Sequence, residues 1–259
     1  MTDRLPYNDF DFDLARAVLE QLVEGFRSLP VGPLCPTILK LMKPGQGVYQ
    51  LFNCETLVYT GKTDSDLPSR LLRHHAMLAA RQNIVIQEMG FKALYIHRNW
   101  TTWTTESALI RFFGEESPWN LSGMGSNDPG HNREDTAEEK TFNRRYPIDP
   151  HVACDWVKAG KYTAWDVLTS IKRDLPYLLR FQHVNKKFNR IIDREAEAEL
   201  KNTTVQVPHN DMSVSELVRT IARQLSNGWQ FTVFPGRMIL YKENVDYQHG
   251  TIYWPTPDS

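Results

Sequence analysis

The sequence lacks any apolar run approaching the roughly 18 residues that mark a bilayer-spanning helix, so no transmembrane segment is expected. It is poor in cysteine: Cys35, Cys54 and Cys154 are too few and too scattered for a disulfide framework or a paired-cysteine zinc site. Met1–Phe12 is polar and acidic, without the basic and apolar blocks of a secretory leader. A reduced, cytoplasmic protein is the expectation. No charge sign dominates either. Lys and Arg number 30 against 31 Asp and Glu, so net charge neither selects nor excludes a nucleic-acid partner. Internal repeats and long low-complexity tracts are absent. What is present is globular: 259 residues, 41% apolar and 24% charged, which excludes wholesale disorder or a fibrous chain and suits one or two domains.

Apolar residues Leu14, Val18, Leu22 and Phe26, with Ala15 and Leu19 beside them, predict a helix over 12–26. Pro30, Pro33 and Pro36 then impose a rigid connector. Two strand-like runs, Gly47–Phe52 and Leu57–Gly61, flank a tight loop around Asn53-Cys54-Glu55. A helix capped by Asp66, with Pro68 in its first turn, runs to Arg81. Phe91–His97 reads as a third strand, and Thr104 or Thr105 caps a helix to Phe113. Residues 118–135 read as a turn-rich loop, and 131–140 as a charged stretch. The order predicts an α/β (α+β) domain over 1–145, a small mixed sheet flanked by helices. From 146 to 259 a mainly helical second domain is expected. Its helices fall at His151–Ala159, at Ala164–Leu179 with a break at Pro176, and at Val184–Leu200. The capping box Ser213–Glu216 opens another to Leu225, and a hairpin turning at Pro235-Gly236 ends the domain.

Charge is unevenly spread. Lys172–Arg194 holds seven basic and two acidic residues, a patch that either contacts phosphates, through Lys186, Lys187 and Arg190, or is simply a solvated helix face. Four further features bear on chemistry. With a loop centred on Cys54, Tyr49 lies opposite Tyr59, so two phenols share one sheet face or merely fill it. Arg70 and His74 are one helical turn apart; they suit phosphate clamping and proton exchange, or form an amphipathic edge. Glu106 shares a face with Leu109 and Ile110, so it needs a partner such as a divalent cation or Arg70, unless it only complements its helix dipole. Pro118-Trp119-Asn120 and Gly123–Gly130 either gather backbone amides around an anion or make successive turns.

The order Gly47-Val48-Tyr49, Tyr59-Thr60-Gly61, Arg70-x-x-x-His74, Glu106, Asn120 resembles the GIY-YIG nuclease family over roughly residues 45–130. Phe10–Val18 and Gly123–Gly130 are similar to segments of its type II restriction endonucleases with SacII-type specificity. The resemblance implies hydrolysis of double-stranded DNA at a phosphodiester. Tyr49 would position or deprotonate water, and Tyr59 would contact the scissile phosphate or the water. Arg70 would offset phosphate charge, and His74 would act as base or orient the nucleophile. Glu106 would bind one magnesium ion (with manganese as a substitute), and Asn120 would help hold the phosphate and metal site. A single carboxylate suits one hard cation rather than a two-metal cluster. Between Tyr49 and His74 the residues alone select no proton acceptor. Val48 and Thr60 replace the isoleucines of the family motif, and only Lys62–Ser69 separates the motif from Arg70, without the subgroup's longer insertion.

A restriction enzyme in phage defence, acting as a homodimer on a palindrome, is the first reading. A structure- or lesion-directed repair nuclease is the second. A non-catalytic winged-helix-like DNA-binding protein, built on Val214–Leu225 and the hairpin after it, is the third.

Overall fold

The computed structural model describes residues 14–96, 112–113, 117–122, 124, 141–184 and 191–255; of 14, 15 and 121 it describes the backbone only. The chain is mixed α+β and divides into two compact units, one of residues up to Leu72 with Ile86–Leu121, the other of Arg73–Val85 with residues from Ser122. The second unit therefore begins well before residue 146 and takes in the later part of one helix. Of the helix expected near 104–113 only Phe112 and Phe113 are described, and the charged stretch 131–140 and the basic residues Lys186, Lys187 and Arg190 lie outside the described residues. Among the described residues no helix is long and apolar enough to cross a membrane. None of the three cysteines forms a disulfide.

In the first unit, α1 (Leu14–Ser28) is followed by β1 (Gly32–Pro33), the short helix α2 (Pro36–Leu39), β2 (Gly47–Asn53), β3 (Thr56–Thr63), α3 (Leu67–Ala79, which runs on into the second unit) and β4 (Met89–Tyr95). The strand order is β1-β4-β2-β3. Every described pairing in this sheet is antiparallel, so the expected mixed sheet is not found here. The physical reason is that β2 lies between β3 and β4 and runs opposite to both.

Alternation along the strands gives the sheet two different faces. On one, Val48 packs with Val23, Phe26 and Phe113, and Leu19, Leu22 and Leu94 join them. The α1 stripe thus runs through Leu19, Leu22, Val23 and Phe26, at helical spacing. Lys92 Nζ donates to the Phe26 carbonyl at 3.0 Å, satisfying an acceptor near the end of α1. On the other face lies α3, with Asp66 as its cap. Asp66 Oδ2 accepts from Ser69 N at 2.9 Å, and Oδ1 from Gly45 N at 3.2 Å. Gly47 lets α3 come close: a β-carbon there would meet the Leu94 carbonyl oxygen at 2.2 Å and Leu67 Cδ1 at 2.7 Å.

The second unit is less helical than expected. Its strands are β5 (Gly160–Thr163), β6 (Leu178–Phe181), β7 (Thr204–Val207), β8 (Trp229–Phe234), β9 (Arg237–Lys242) and β10 (Thr251–Trp254). β5 pairs with β7, and the other sheet runs β10-β8-β9-β6, with β6 parallel to β9. Two expected helices change. The segment 151–159 forms turns. The helix from Ala164 ends at Asp174, and Leu178–Phe181 after Pro176 is a strand. The helix expected over 184–200 is described over Ile191–Asn202, and its expected start at 185–190 lies outside the described residues. Four-residue strands carry too little alternation to stand out from helical spacing. The capping box is present, with Ser213 N donating to Glu216 Oε2 at 2.8 Å, at the head of Val214–Ala222. The hairpin β8–β9 is interior to its sheet, with strands on both outer edges, so it offers no projecting wing.

Gly47→Ala should destabilise the protein by about 2 kcal/mol or more in urea unfolding, because its β-carbon collides with backbone. Gly32→Ala, whose β-carbon would meet Phe91 Cε1 at an ordinary 3.7 Å, should change stability by less than about 1 kcal/mol.

Candidate functional site

The hairpin β2–β3 sets the site. Its turn has two residues, Cys54 and Glu55, both in the left-handed region at φ 46° and 66°. That is the backbone of a tight two-residue loop whose twist matches the strands. The Cys54 amide is held by the Glu88 carbonyl at 3.2 Å and its thiol by Glu88 Oε2 at 3.0 Å. A register shift follows between Leu51 and Phe52. As a result Tyr49 stands opposite Gly61, and Tyr59 opposite Leu51, not Tyr49 opposite Tyr59. The turn moves the expected register by one residue and the irregularity by another. An even displacement leaves both phenols on the same face.

Gly61 makes the arrangement possible. A β-carbon there would lie 2.6 Å from Tyr49 Oη and 2.8 Å from Tyr59 Cε1, so the Tyr49 ring rests across the bare backbone of β3. The two rings have centroids 6.1 Å apart and are tilted by 34°. From α3, Arg70 Nε donates to Tyr49 Oη at 3.2 Å, and its charge also acts with Tyr59. Tyr49 is 0% exposed and Tyr59 6%, whereas Arg70 is half-buried, so the guanidinium is the member open to solvent.

Burial first, and Tyr59 second, push the Tyr49 phenol well above its ordinary value; the Arg70 hydrogen bond acts the other way without cancelling them. Burial would lower the Arg70 pKa, but its hydrogen bond to Tyr49 and the attraction of both phenols outweigh it, and the net direction is up. At neutral pH the Arg70 cation therefore stands against a protonated Tyr49 phenol. No carboxylate pairs with Arg70 among the described residues. This donor set suits an anion with several oxygens, such as a phosphate.

It does not suit a divalent cation unaided, since a guanidinium repels one and a buried, protonated Tyr49 phenol is a poor ligand. Among the described residues no group of three or more His, Cys, Asp or Glu side chains gathers as a metal site. Glu106, the expected ligand, lies outside the described residues. His74 follows Arg70 by one turn of α3 and is 5% exposed, but it belongs to the second unit. Among the described residues of the first unit, Tyr49, Tyr59 and Arg70 come together.

Asn120 stands beside this cluster in another capacity. Its Oδ1 accepts from Thr60 N and its Nδ2 donates to Thr60 O, both at 2.8 Å. β3 is an edge strand, and the amide side chain completes the outward pair of backbone groups as a further strand would. Ser117 adds a buried hydroxyl contact to Thr60 Oγ1 at 3.0 Å. Asn120 thus grips the backbone between Tyr59 and Gly61. Ser117 carried no signal in the sequence. The buried Thr60 hydroxyl is thereby partnered.

Comparison with models of known protein families and with curated proteins gives no match.

Asn120→Ala leaves the Thr60 amide and carbonyl without their partner, at a cost of about 1–3 kcal/mol. Hydrogen exchange at the Thr60 amide should accelerate by tenfold or more, while amides in the centre of β2 change little.

Proposed function

We propose that this chain is a DNA endonuclease of the GIY-YIG kind, cutting double-stranded DNA by hydrolysis of a phosphodiester. The observation that carries the reading is the approach of Arg70 Nε to Tyr49 Oη at 3.2 Å, with the Tyr59 ring alongside. Residues 49, 59 and 70, drawn from two strands and a helix, meet with the charge that a phosphate needs. In this reading Arg70 contacts the phosphate and offsets charge developing on it. Tyr49, buried behind Arg70 and protonated, positions the guanidinium rather than accepting a proton. Tyr59 lends its hydroxyl to the phosphate or to the attacking water. Asn120 and Ser117 hold the strand that carries Tyr59.

Glu106 would hold one magnesium or manganese ion, which when bound supplies electrophilic stabilisation of the phosphoryl oxygens. Lys186, Lys187 and Arg190 would meet the DNA backbone. Two copies acting on a palindrome, as in a restriction enzyme of phage defence, is the favoured arrangement. A repair nuclease uses the same chemistry on branched or damaged DNA. The non-catalytic winged-helix reading is disfavoured by the interior placement of the β8–β9 hairpin.

Purified protein with magnesium should cleave plasmid DNA. Arg70→Ala and Glu106→Ala should each slow cleavage by roughly a hundredfold or more, with the Glu106 variant retaining DNA binding in EDTA. Cleavage undiminished in both variants would contradict the assignment. The pH–rate profile provides a separate check. A raised phenol pKa keeps Tyr49 protonated beyond the ordinary value near 10, so the rate should not continue rising above about pH 10. A rise there that disappears in Tyr49→Phe would make Tyr49 the acceptor.

A further inference from the structure

A second feature of the first unit is the cleft at the end of the sheet where β2 begins and β3 and β4 finish. It has a volume of about 450 Å³ and is lined by 43–46, Asp64, Ser65, Tyr95 and Ile96. Tyr95 dominates it. The residue is 45% exposed, yet its side chain is fixed at both ends: its backbone pairs in β4 opposite Gly47, and its hydroxyl donates to the Lys43 carbonyl at 2.7 Å. One edge of the ring lies on Gly45, where a β-carbon would meet Tyr95 Cδ1 at 3.1 Å and Cε1 at 3.3 Å. The loop bearing Gly45 is itself pinned to the head of α3, through Gly45 N to Asp66 Oδ1 and Leu67 N to the Gly45 carbonyl at 2.8 Å.

An exposed tyrosine on a surface ordinarily turns freely about its side-chain bonds. Here its orientation is set in advance, which removes most of the ordering cost of stacking against it. The surrounding groups match the rest of a nucleotide. Lys43 is exposed and has no carboxylate partner among the described residues. Asp64 is offset by Lys62 at 3.6 Å. Gln46 and Ser65 add polar groups to the lining, and an amide can both donate to and accept from a base edge. The cleft also stands in register with the candidate site. Tyr95 shares the sheet face of Tyr49, one strand over and two residues along, a displacement of roughly 8 Å. That is within the span of about two to three nucleotides along one strand.

The geometry points to a nucleobase-stacking subsite on Tyr95, next to the phosphate site, with Lys43 facing the phosphate of the stacked nucleotide. This inference rests on the nuclease reading for its preferred source, an unpaired or extruded base of the DNA substrate; a free nucleotide has the same chemistry.

The test is fluorescence anisotropy in EDTA with the full chain and two labelled duplexes of equal length, one fully paired and one with a single unpaired thymine. The wild type should bind the second roughly tenfold more tightly, as expected for one base stacked on an aromatic ring. Tyr95→Leu should abolish the preference, and Tyr95→Phe, which keeps the ring and loses the anchor to Lys43, should retain most of it. Arg70→Ala should weaken both duplexes alike and leave their ratio intact. An unchanged ratio in Tyr95→Leu, or no preference in the wild type, overturns the inference while leaving the phosphate site standing. Unchanged affinities in Arg70→Ala count against the nuclease reading instead. If neither duplex binds, the probe is thymidine monophosphate, followed by the ring-proton resonances of Tyr95. A saturable shift that deoxyribose phosphate does not produce assigns the cleft to free nucleotides, and its absence overturns the inference.

Discussion

Two missing β-carbons govern the first unit. At Gly47 the absence of a side chain lets Leu67 and the start of α3 press onto β2, and at Gly61 it lets the Tyr49 ring lie across β3. With any other residue at these positions, steric overlap below 3 Å would lift the helix or the ring from the sheet. The hydrogen bond from Arg70 to Tyr49 depends on both approaches, since it joins the helix to the ring. Glycine here is a requirement of packing distance rather than of backbone dihedral, as neither residue has a positive φ.

The same closeness sets the electrostatics. Tyr49 is removed from water, so its neutral form is favoured, and Arg70 keeps a full positive charge facing outward. A buried neutral phenol is a good orienting acceptor for a guanidinium and a poor proton acceptor for water. Under the proposed function the half-buried cation meets the anion, and the buried Tyr49 phenol holds that cation in place. The amide of Asn120 extends the logic to the sheet edge. Backbone groups that would otherwise stand open on β3 are satisfied by one side chain, which fixes the segment between Tyr59 and Gly61.

Much of this was legible in the sequence because it depends on period and capping. Tyr49 and Tyr59 share the expected face although the pairing differs from the expected one, since two one-residue displacements sum to an even number and period-two alternation tolerates that. The Asp66 cap and the Ser213–Glu216 box were legible because each rests on a side chain within three residues of its target. What failed were elements whose identity depends on distant partners. Leu178–Phe181 is a strand because β9 lies beside it, and its own four residues do not announce this. The turns at 151–159 are shaped by the isolated bridge of Ala153 to Ser213 and by hydrogen bonds such as Cys154 N to the Met212 carbonyl at 2.9 Å. The edge-binding of Asn120 was equally invisible, since its partner is 60 residues away. The fixed ring of Tyr95 follows from a carbonyl 52 residues upstream, so the sequence presented it only as one more strand residue.

The central claim is that Arg70, held by Tyr49, is the anion contact of the first unit. The direct measurement is a nuclear magnetic resonance titration of the Arg70 Nε–H signal with a thymidine dinucleotide in EDTA, where no hydrolysis competes. A saturable shift of that signal, lost in Tyr49→Phe as the guanidinium loses its anchor, is the predicted result. A dinucleotide that saturates the protein while leaving the Arg70 Nε–H signal unmoved would contradict the account.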